Sequence, residues 1–478
     1  MQLSHGKVRN LNHTQESILI VALIKSISGI RGTIGGPAGD NLTPQDIVAC
    51  TAGFGELILQ GGAPPSVVVG RDARISGEMV SQLVIQTLIA QGISVLDLGL
   101  STTPTVEMAV THLGAGAGII ITASHNPAEW NALKFLNQKG EFISAEEGRQ
   151  LLAFIEAGQI RYAGVEKLGQ YRQVEGMIAY HIGQILALPL VLTEKIKARK
   201  FRIVVDCVNS TGAISVPPLL EALGCEVLLL NGEANGRFAH NPEPLPAHLV
   251  DLCELVRSEK ADLGIAVDPD VDRLALVCGD GSLFGEEYTL VAVADYILQK
   301  RPGNTVSNLS SSRALRDVTQ KHGGQYFAAA VGEVNVVAKM KETAAVIGGE
   351  GNGGVILPEL HYGRDALAGI ALVLSLMAES GLSLLELKKT YPDYQMIKDK
   401  ITLAPGTDMA ALLSKLQKKY ASENCNTIDG LKIDFPESWV HLRQSNTEPI
   451  IRVYAEALDA KTAQELADNI KNDALSLL

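Results

Sequence analysis

The segment Gly118-Ile119-Ile120-Ile121-Thr122-Ala123-Ser124-His125-Asn126-Pro127 joins an apolar run to a polar loop. An uninterrupted apolar run bounded by turn-forming residues is typical of a strand that is covered on both faces. Serine, asparagine and proline are common in the turns that end such strands. The segment therefore predicts a buried strand with Ser124 at its carboxyl end, next to His125.

The same alternation of strands and helices occurs three times in the first 355 residues. The predicted strands are 66–69, 93–97 and 118–121, then 202–206, 225–230 and 262–267, then 304–307, 325–329 and 345–347. The predicted helices are 77–90 and 104–113, then 213–223 and 247–258, then 312–322 and 333–342. This alternation indicates βαβ units and largely parallel sheets, in which ligands bind beyond the carboxyl ends of the strands. The loop that ends each unit is therefore a candidate binding loop.

The pattern changes after about residue 386, where we predict a separate α+β domain. Its elements are an amphipathic helix at 409–420, strands near 431–435, 439–443 and 450–456, and a closing helix at 460–477. The predicted fold class is α/β, with three similar βαβ-type mixed-sheet domains and a smaller α+β C-terminal domain around a central cleft. The predicted divisions are an N-terminal extension at 1–20 and domains at 21–172, 173–285, 286–388 and 389–478.

The composition describes a folded protein of several domains. A chain of 478 residues is too long for one hydrophobic core, and 46% hydrophobic with 20% charged residues excludes disorder as its main character. A formal charge of −12 argues against a protein that binds nucleic acid or anionic membranes in general, because such partners favour basic surfaces. An anionic substrate would therefore require a local cluster of basic residues.

The cysteines and the apolar runs indicate a cytoplasmic protein. Six cysteines are scattered without a CxxC pair, which is typical of thiols in a reducing compartment. The apolar run at 18–24 resembles a signal peptide, but Glu16 interrupts its approach and no convincing cleavage site follows. No stretch approaches the roughly 18 uninterrupted apolar residues of a membrane span.

Ser124 is a candidate nucleophile. A serine hydroxyl reacts only when its proton is removed or the developing charge is stabilised, and His125 is adjacent while Lys134 lies ten residues on. The GxSxG pattern of acyl-transfer hydrolases is missing, which disfavours that class. The alternative is that the segment is only a turn.

Asp268-Pro269-Asp270-Val271-Asp272-Arg273 places three alternating carboxylates directly after a predicted buried strand. Alternate residues of an extended loop project to one side, so three oxygens can converge on a hard cation such as Mg²⁺. The segment lacks the glycine and the distal glutamate of an EF-hand. Arg273 could contact a phosphoryl group near such a metal. The alternative is a solvated acidic turn.

Gly348-Gly349-Glu350-Gly351-Asn352-Gly353-Gly354 has five glycines in seven residues, which allows its backbone to approach a ligand closely. Glu350 and Asn352 supply the acceptors and the donor that a polyol requires. The segment lacks the Lys-Ser/Thr of a P-loop, which argues against a nucleoside triphosphate. The alternative is a flexible loop without a ligand.

Arg443-Gln444-Ser445-Asn446-Thr447-Glu448-Pro449 and the nearby Arg452 combine two guanidinium groups with hydroxyl and amide donors suited to a phosphate. The alternative is a surface hairpin. Arg31, in Gly29-Ile30-Arg31-Gly32, could add positive charge to the same cleft. His240 and His361 are interpreted as structural or peripheral, since no metal-ligand spacing accompanies either.

Together these segments resemble the α-D-phosphohexomutases, a family that includes phosphoglucomutase, phosphomannomutase and phosphoglucosamine mutase. The resemblance covers the chain after about residue 21, and 122–127 and 268–273 are its most specific parts. It implies Ser124 as the phosphoserine and Lys134 as the general base, with further catalytic roles for His125, Arg31 and Arg273. It implies a Mg²⁺ site formed by Ser124, Asp268, Asp270 and Asp272. It implies that the sugar hydroxyls meet Glu350 and Asn352, and that the distal phosphate is held by Arg443, Ser445, Asn446, Thr447 and Arg452.

An enzyme of this kind interconverts hexose 6-phosphate and hexose 1-phosphate through a bisphosphorylated sugar that turns around between two transfers. The resemblance implies Mg²⁺ as the cofactor, a hexose 1,6-bisphosphate as the activator and a small phosphosugar as the substrate. Neither nucleic acid nor a membrane is expected as a partner. A homo-oligomer is compatible with the sequence.

Three features are most like the phosphoglucosamine mutase branch: Gly-Glu-Gly-Asn-Gly-Gly at 349–354, the acid of Val331-Gly332-Glu333, and Glu-Trp-Asn at 129–131. Many members instead read Gly-Glu-x-Ser-Gly-His in the sugar loop. The predicted reaction is therefore glucosamine 6-phosphate to glucosamine 1-phosphate. The alternatives are a phosphomannomutase/phosphoglucomutase, a Mg²⁺-dependent sugar phosphatase and a non-catalytic sugar-phosphate sensor.

Overall fold

The computed structural model of the chain describes residues 23–26, 29–403, 407–444 and 450–477. The predicted extension at 1–20 lies outside these residues. Ser445, Asn446 and Thr447, which are predicted to hold the distal phosphate, also lie outside them. Four sheets follow one another along the described chain, three in α/β units and one in a C-terminal α+β unit, so the predicted fold class is confirmed. None of the helices within these ranges is both long and apolar enough to cross a membrane.

The first unit contains the Ser124 loop. Its elements are β1 (Ile24–Ser26), β2 (Gly29–Thr33), α1 (Pro44–Gly61), β3 (Ser66–Arg71), α2 (Gly77–Ala90), β4 (Ser94–Leu100), α3 (Thr103–His112), β5 (Ala117–Ile121), β6 (Trp130–Leu136), α4 (Ala145–Ala157) and β7 (Tyr171–Gln173). The strand order is β1-β2-β6-β5-β3-β4-β7. Ile119 and Ile121 pack into one buried cluster and Ile120 into another, so both faces of β5 are covered. This two-sided burial explains the apolar run that precedes Ser124.

The second and third units share one continuous hydrophobic core. The second unit contains α5 (Met177–Ala187), α6 (Thr193–Arg199), β8 (Arg202–Asp206), α7 (Gly212–Ala222), β9 (Glu226–Leu230), α8 (Val250–Ser258), β10 (Leu263–Val267) and β11 (Leu274–Cys278). The third contains α9 (Glu286–Lys300), β12 (Thr305–Asn308), α10 (Ala314–Lys321), β13 (Tyr326–Ala329), α11 (Glu333–Glu342), β14 (Ile347–Glu350), β15 (Gly354–Ile356), α12 (Ala366–Ser380) and α13 (Leu384–Lys388). The two sheets have the orders β11-β10-β8-β9 and β13-β12-β14-β15. Helix α12 is buried along residues 366–377, which places an almost entirely apolar helix inside this shared core.

The three candidate loops each connect two neighbouring antiparallel strands: β5 to β6, β10 to β11, and β14 to β15. The predicted elements do not include β6, which carries Lys134 and pairs this residue with Ile120 of β5. Glu350, predicted in a loop, closes β14 and pairs with Gly354. The strand pairing continues to this point, so only residues 351–353 form the turn, with Gly353 at a φ of +84°. Hairpin geometry therefore brings residues of both strands to one edge of each sheet.

The C-terminal unit is an antiparallel sheet packed on two helices. Its elements are β16 (Gln395–Thr402), α14 (Met409–Lys419), β17 (Asn424–Asn426), β18 (Leu431–Asp434), β19 (Trp439–Gln444), β20 (Ile450–Ala457) and α15 (Ala460–Ser476). The strand order is β16-β20-β19-β18-β17. Arg443 of β19 lies directly opposite Arg452 of β20, so the two arginines predicted to hold a phosphate are cross-strand neighbours. Like charges in such a pair repel unless an anion lies between them.

Candidate active site

The Ser124 side chain points from the first unit toward the second. Its hydroxyl donates a hydrogen bond to Asp268 Oδ2 at 2.7 Å, and only 7% of the residue is exposed. The backbone adopts a φ of +49°, a left-handed conformation that costs a serine about 1–3 kcal/mol. The Ser124 N–H donates to Thr122 Oγ1 at 2.9 Å. The predicted meeting of the serine loop and the aspartate loop is therefore present in the structure.

Arg74 holds the serine loop in this strained conformation. Its guanidinium donates hydrogen bonds of between 2.5 and 2.9 Å to four backbone oxygens, those of Ser124, Asn126, Pro127 and Trp130. Its Nε donates to Asp72 Oδ2 at 3.0 Å, and both side chains are fully buried. Arg74 is not among the residues predicted from the sequence. The pattern Arg71-Asp72-Ala73-Arg74 directly after β3 was the only signal for it.

The carboxylates of Asp268, Asp270 and Asp272 lie within 4.8 Å of one another, and all three residues are fully buried. Asp268 Oδ1 accepts the N–H groups of Asp272 at 3.1 Å and Arg273 at 3.0 Å, which curls the loop around this side chain. Val271, between the aspartates, has a φ of +62°. A β-branched residue in this conformation is strained, a feature common at functional sites.

Two oxygens of this triplet, Asp270 Oδ1 and Asp272 Oδ1, are buried and accept no hydrogen bond from the part of the chain that the structure describes. Buried polar atoms without a partner are costly, and converging carboxylate oxygens are the ligands that Mg²⁺ prefers. Burial and the charges of Asp272 and Asp270 raise the pKa of Asp268, as expected for crowded carboxylates. The donor set therefore fits a divalent metal ion.

Lys134 lies beside the triplet, with its Nζ 2.8 Å from Asp270 Oδ2 and 3.8 Å from Asp272 Oδ2. Burial alone would lower the pKa of Lys134, but the two carboxylates outweigh it and raise the pKa. The same contact keeps the pKa of Asp270 below its usual range despite the burial of that carboxyl. Lys134 is therefore protonated in this arrangement, and its role as a general base stays a prediction.

Arg364 connects the aspartate loop to the sugar loop. Its Nη2 donates to Asp272 Oδ2 at 2.6 Å, its Nη1 to Glu350 Oε2 at 3.1 Å and its Nε to Glu333 Oε2 at 2.8 Å. The residue is 8% exposed, so one buried guanidinium neutralises carboxylates from two units of the chain. Sequence reasoning missed Arg364, because Asp272 is 92 residues away and nothing local marks the contact.

Glu350 is linked to the aspartate loop through Arg364 and remains ionised. Its Oε1 accepts hydrogen bonds from Asn308 Nδ2 at 2.9 Å and from the Gly332 N–H at 3.0 Å. Burial would raise the pKa of Glu350, but Arg364, followed by these two donors, lowers it. Asn352 is half-buried in the adjoining turn, where its Oδ1 accepts the N–H of Gly354 at 3.3 Å. The site thus presents a fixed carboxylate and an amide on the same hairpin.

A group of guanidiniums from three units lies at the cleft. Burial and then the charges of Arg273 and Arg452 lower the pKa of Arg31, which shows that these arginines are close enough to repel one another. Arg273 is partly balanced by Glu243, whose Oε1 lies 3.4 Å from its Nη1. Such clustering of positive charge in a chain of net charge −12 is typical of a site for a phosphorylated ligand.

His125 lies between the serine and this positive group. Its Nδ1 is 3.4 Å from Ser124 Oγ, and its Nε2 is 3.5 Å from Arg273 Nη2. Burial, followed by the charge of Arg273, lowers the pKa of His125 to about 2. The imidazole is therefore neutral here.

Arg443 is held by an aspartate that the sequence did not indicate. Its Nε donates to Asp429 Oδ2 at 2.8 Å, and the same oxygen accepts the N–H of Val331 at 3.0 Å. Arg452, on the opposite strand, is exposed. The contact through Asp429 joins the C-terminal sheet to the third unit and orients one of the two arginines predicted to hold a phosphate.

Replacing Thr103 by valine tests the support of the metal site. The Thr103 hydroxyl donates to Asp270 Oδ2 at 2.6 Å, so its loss should weaken Mg²⁺ binding by roughly 10–100-fold, as for other side chains that orient metal ligands. Isothermal titration with Mg²⁺ measures this. Thr111→Val on the same helix is the control, because that hydroxyl donates only to the Met108 carbonyl. Equal affinities in the two variants would contradict the assignment.

Four family models match consecutive parts of the chain. They are the alpha/beta/alpha domains I, II and III of phosphoglucomutase/phosphomannomutase, at residues 23–161, 179–281 and 285–394, and the C-terminal domain, at 398–472. A probable phosphoglucosamine mutase of Methanopyrus kandleri is 35% identical over 92% of this chain and 95% of that protein. A phosphoglucomutase/phosphomannomutase of Thermococcus kodakarensis is also 35% identical, over 91% and 96%.

A solved structure with the same fold covers nearly the whole chain. It is the crystal structure of a phosphoglucomutase/phosphomannomutase family protein from Burkholderia thailandensis. The TM-score is 0.82 at 26% sequence identity, over 96% of this chain and 97% of that one. The similarity therefore extends through all four units.

Proposed function

The chain belongs to the phosphoglucomutase/phosphomannomutase family and is a phosphohexomutase, and from this premise we propose that Ser124 carries the exchanged phosphoryl group. The observation that carries the proposal is the 2.7 Å contact of Ser124 Oγ with Asp268, at a triplet whose other members have unpaired buried oxygens. A nucleophile beside three carboxylates that fit a divalent metal ion suits phosphoryl transfer, because this reaction depends on positioning and on charge stabilisation.

In the proposed transfer, the free hydroxyl of a hexose monophosphate forms a bond to the phosphorus as the bond between phosphorus and Ser124 Oγ breaks. Mg²⁺ held by Asp268, Asp270 and Asp272 would neutralise charge on the phosphoryl group. Arg273, next to His125, and Arg31, which lies close to Arg273, supply further positive charge. Lys134 is the proposed acceptor of the hydroxyl proton. It can accept that proton only when the charge of Asp270, 2.8 Å away, is compensated, because this charge raises its pKa.

The bisphosphorylated sugar then turns around and returns its other phosphate to Ser124. One site must therefore hold either phosphate, and we assign this task to Arg443 and Arg452 with Ser445, Asn446 and Thr447. The Asp429 contact, which fixes Arg443 against the third unit, supports the assignment. A hexose 1,6-bisphosphate is the proposed activator, because it can restore the phosphate when the intermediate escapes from the cleft.

We assign one part of the proposed site to each of the four predicted domains. Residues 21–172 carry the phosphoserine, 173–285 the metal ligands, 286–388 the sugar-binding Glu350 and Asn352, and 389–478 the distal phosphate site. The support lies in the contacts between units, from Ser124 to Asp268 and from Asp272 through Arg364 to Glu350.

The proposed substrate is glucosamine 6-phosphate, converted to glucosamine 1-phosphate. The two relatives at 35% identity carry different names, so the proposal depends on residues of this chain. Glu333 is 7% exposed, and its Oε1 is buried without a hydrogen-bond partner while Oε2 accepts from Arg364. An unpaired carboxylate oxygen at the sugar loop supports recognition of an ammonium group.

A panel of glucosamine, glucose and mannose 6-phosphates tests this choice. Glucosamine 6-phosphate should give the highest kcat/KM, and Glu333→Gln should lower that value by roughly 10–100-fold while changing the neutral sugars less, the usual effect of losing one charged hydrogen bond. Glu342→Gln, on the same helix α11, is the control, because Glu342 pairs with the surface Lys339.

A large preference for glucose or mannose phosphate would favour the phosphomannomutase/phosphoglucomutase alternative. Release of inorganic phosphate without an isomerised sugar would instead indicate a Mg²⁺-dependent sugar phosphatase. Binding of the sugars without either product would indicate a sensor.

A further inference from the structure

A second group of metal-ligating atoms lies at the junction between units, away from the aspartate triplet. Asp365 Oδ2 lies 2.8 Å from His181 Nε2 and 3.2 Å from His361 Nε2, and the three ligand atoms are within 4.8 Å of one another. His181 is on α5, and Asp365 caps the N-terminus of α12. His181 and Asp365 are fully buried and His361 largely so. The proposed mutase reaction uses none of these side chains.

The outer nitrogens of both imidazole rings face polar groups of the first unit. His181 Nδ1 lies 3.0 Å from Thr105 Oγ1 in a hydrogen bond, and His361 Nδ1 lies 3.2 Å from Glu107 Oε2, an ion-pair distance without hydrogen-bond geometry. Both partners are on α3 of the first unit. This arrangement fixes the two rings so that each turns Nε2 toward Asp365. A carboxylate on the outer nitrogen of a histidine is the usual support of a metal-bound imidazole.

Glu107 is the least compensated group of the cluster. It is 1% exposed, and neither of its carboxylate oxygens has a hydrogen bond of good geometry. The backbone of residue 363 passes so close that a Cβ on Gly363 would lie 1.8 Å from Glu107 Oε2, so only glycine permits the contact. Burying a carboxylate this deeply is costly unless a positive charge is near.

Two buried carboxylates face two imidazoles in this cluster. The ion-pair partners of Glu107 and Asp365 within the described chain are the two histidines. Asp365 Oδ2 lies within hydrogen-bond distance of both Nε2 atoms, so this geometry favours a positive charge between them, which either protons or one metal ion can supply.

We propose that His181, His361 and Asp365 bind a zinc ion. Two imidazole nitrogens and one carboxylate oxygen form a common ligand set for this metal, with water as the fourth ligand in a tetrahedral site. Imidazole ligands favour Zn²⁺ over Mg²⁺, so the cluster and the aspartate triplet select different ions. A single ion satisfies both Nε2 atoms and the carboxylate, while Glu107 and Thr105 engage the outer nitrogens.

The zinc ion would fix the position of the segment that carries Arg364. Asp365 follows Arg364 in the chain, and the His361–Asp365 segment lies against α3 and α5. The ion would thereby link helices next to the first sheet with the loop that precedes α12. Its effect is on the stability of the assembled cleft, independent of the sugar that the enzyme takes.

Metal analysis of the full-length protein tests the proposal. Protein saturated with Mg²⁺, which occupies the aspartate triplet, should take up about one equivalent of Zn²⁺, as a single site of this type requires. His181→Gln and His361→Gln should each abolish the uptake. With Mg²⁺ kept in excess, removal of Zn²⁺ by a zinc-selective chelator should lower the Tm of the unmodified protein and leave that of the variants unchanged. His322→Gln is the matched control, because His322 forms a similar pair with Asp295 at 2.7 Å without a second imidazole.

A second measurement covers the case in which the histidine variants do not fold. Co²⁺ bound to the unmodified protein should give the visible absorption of a tetrahedral site, and Glu107→Gln should weaken Zn²⁺ binding by roughly 10–100-fold. Absence of zinc uptake in the unmodified protein, or uptake that His181→Gln and His361→Gln leave intact, would overturn the proposal. The cluster would then be a hydrogen-bonded network that is neutralised by protons alone.

Discussion

Replacing Ser124 by alanine is expected to lower kcat for sugar-phosphate interconversion by on the order of 10⁴-fold or more, because the proposed carrier of the phosphoryl group is removed. Substrate binding should change little, since the arginines and Glu350 that are proposed to contact the sugar phosphate are untouched. A coupled assay of isomer formation, together with isothermal titration of the substrate, measures both quantities. Mass spectrometry of the unmodified protein should find one phosphate on the peptide that contains Ser124.

Ser81→Ala is the matched control for this variant. Ser81 is on α2 of the same unit and is 7% exposed, as Ser124 is, yet it lies outside the cleft. Its replacement by alanine should leave kcat within a factor of about two, because buried serines in helices tolerate this change. Full turnover by Ser124→Ala would show that another residue carries the phosphoryl group.

Replacing Arg364 by methionine is expected to lower the free energy of unfolding by about 3–5 kcal/mol, the usual cost of removing one member of a buried ion pair. The guanidinium is 8% exposed and contacts Asp272, Glu333 and Glu350, so its loss removes a cation that three buried carboxylates share. Denaturant unfolding monitored by circular dichroism measures the change. Mg²⁺ should recover part of the stability, because it compensates Asp272.

Two further variants separate charge from packing at this position. Glu333→Gln in the Arg364→Met background should restore part of the lost stability, since it removes one of the uncompensated charges. Arg316→Met is the control, because Arg316 is one-third exposed and pairs with the adjacent Asp317, a contact worth about 0–1 kcal/mol. A loss below about 1 kcal/mol in Arg364→Met would mean that the three carboxylates are compensated by other groups.

The loops that carry chemistry could be located from the sequence because each is a local pattern. The apolar run before Ser124 reflects two-sided burial of β5, and this burial is a property of consecutive residues. The alternation of Asp268, Asp270 and Asp272 likewise brings three carboxylates to one side within a single loop. Their spacing along the chain is sufficient to predict a metal site.

The supporting residues could not be located in this way, because their partners are far apart in the chain. Arg74 binds carbonyls that lie 50 to 56 residues later, and Arg364 reaches back 92 residues to Asp272. His181 and Asp365 are 184 residues apart, and His361 was interpreted as structural or peripheral for lack of a metal-ligand spacing. Each of these residues is ordinary in its local sequence and gains its role only from what the fold places beside it.

Local order along the chain therefore determined the fold class, the succession of units, the position of the proposed nucleophile and the carboxylate triplet, because strand burial and loop composition depend on neighbouring residues. Tertiary structure alone decided the protonation of Lys134, the neutralisation of Glu350 by Arg364 and the meeting of His181 with Asp365. The physical reason is that electrostatic energy depends on distance in space and on burial, and the packing of separate sheets sets both.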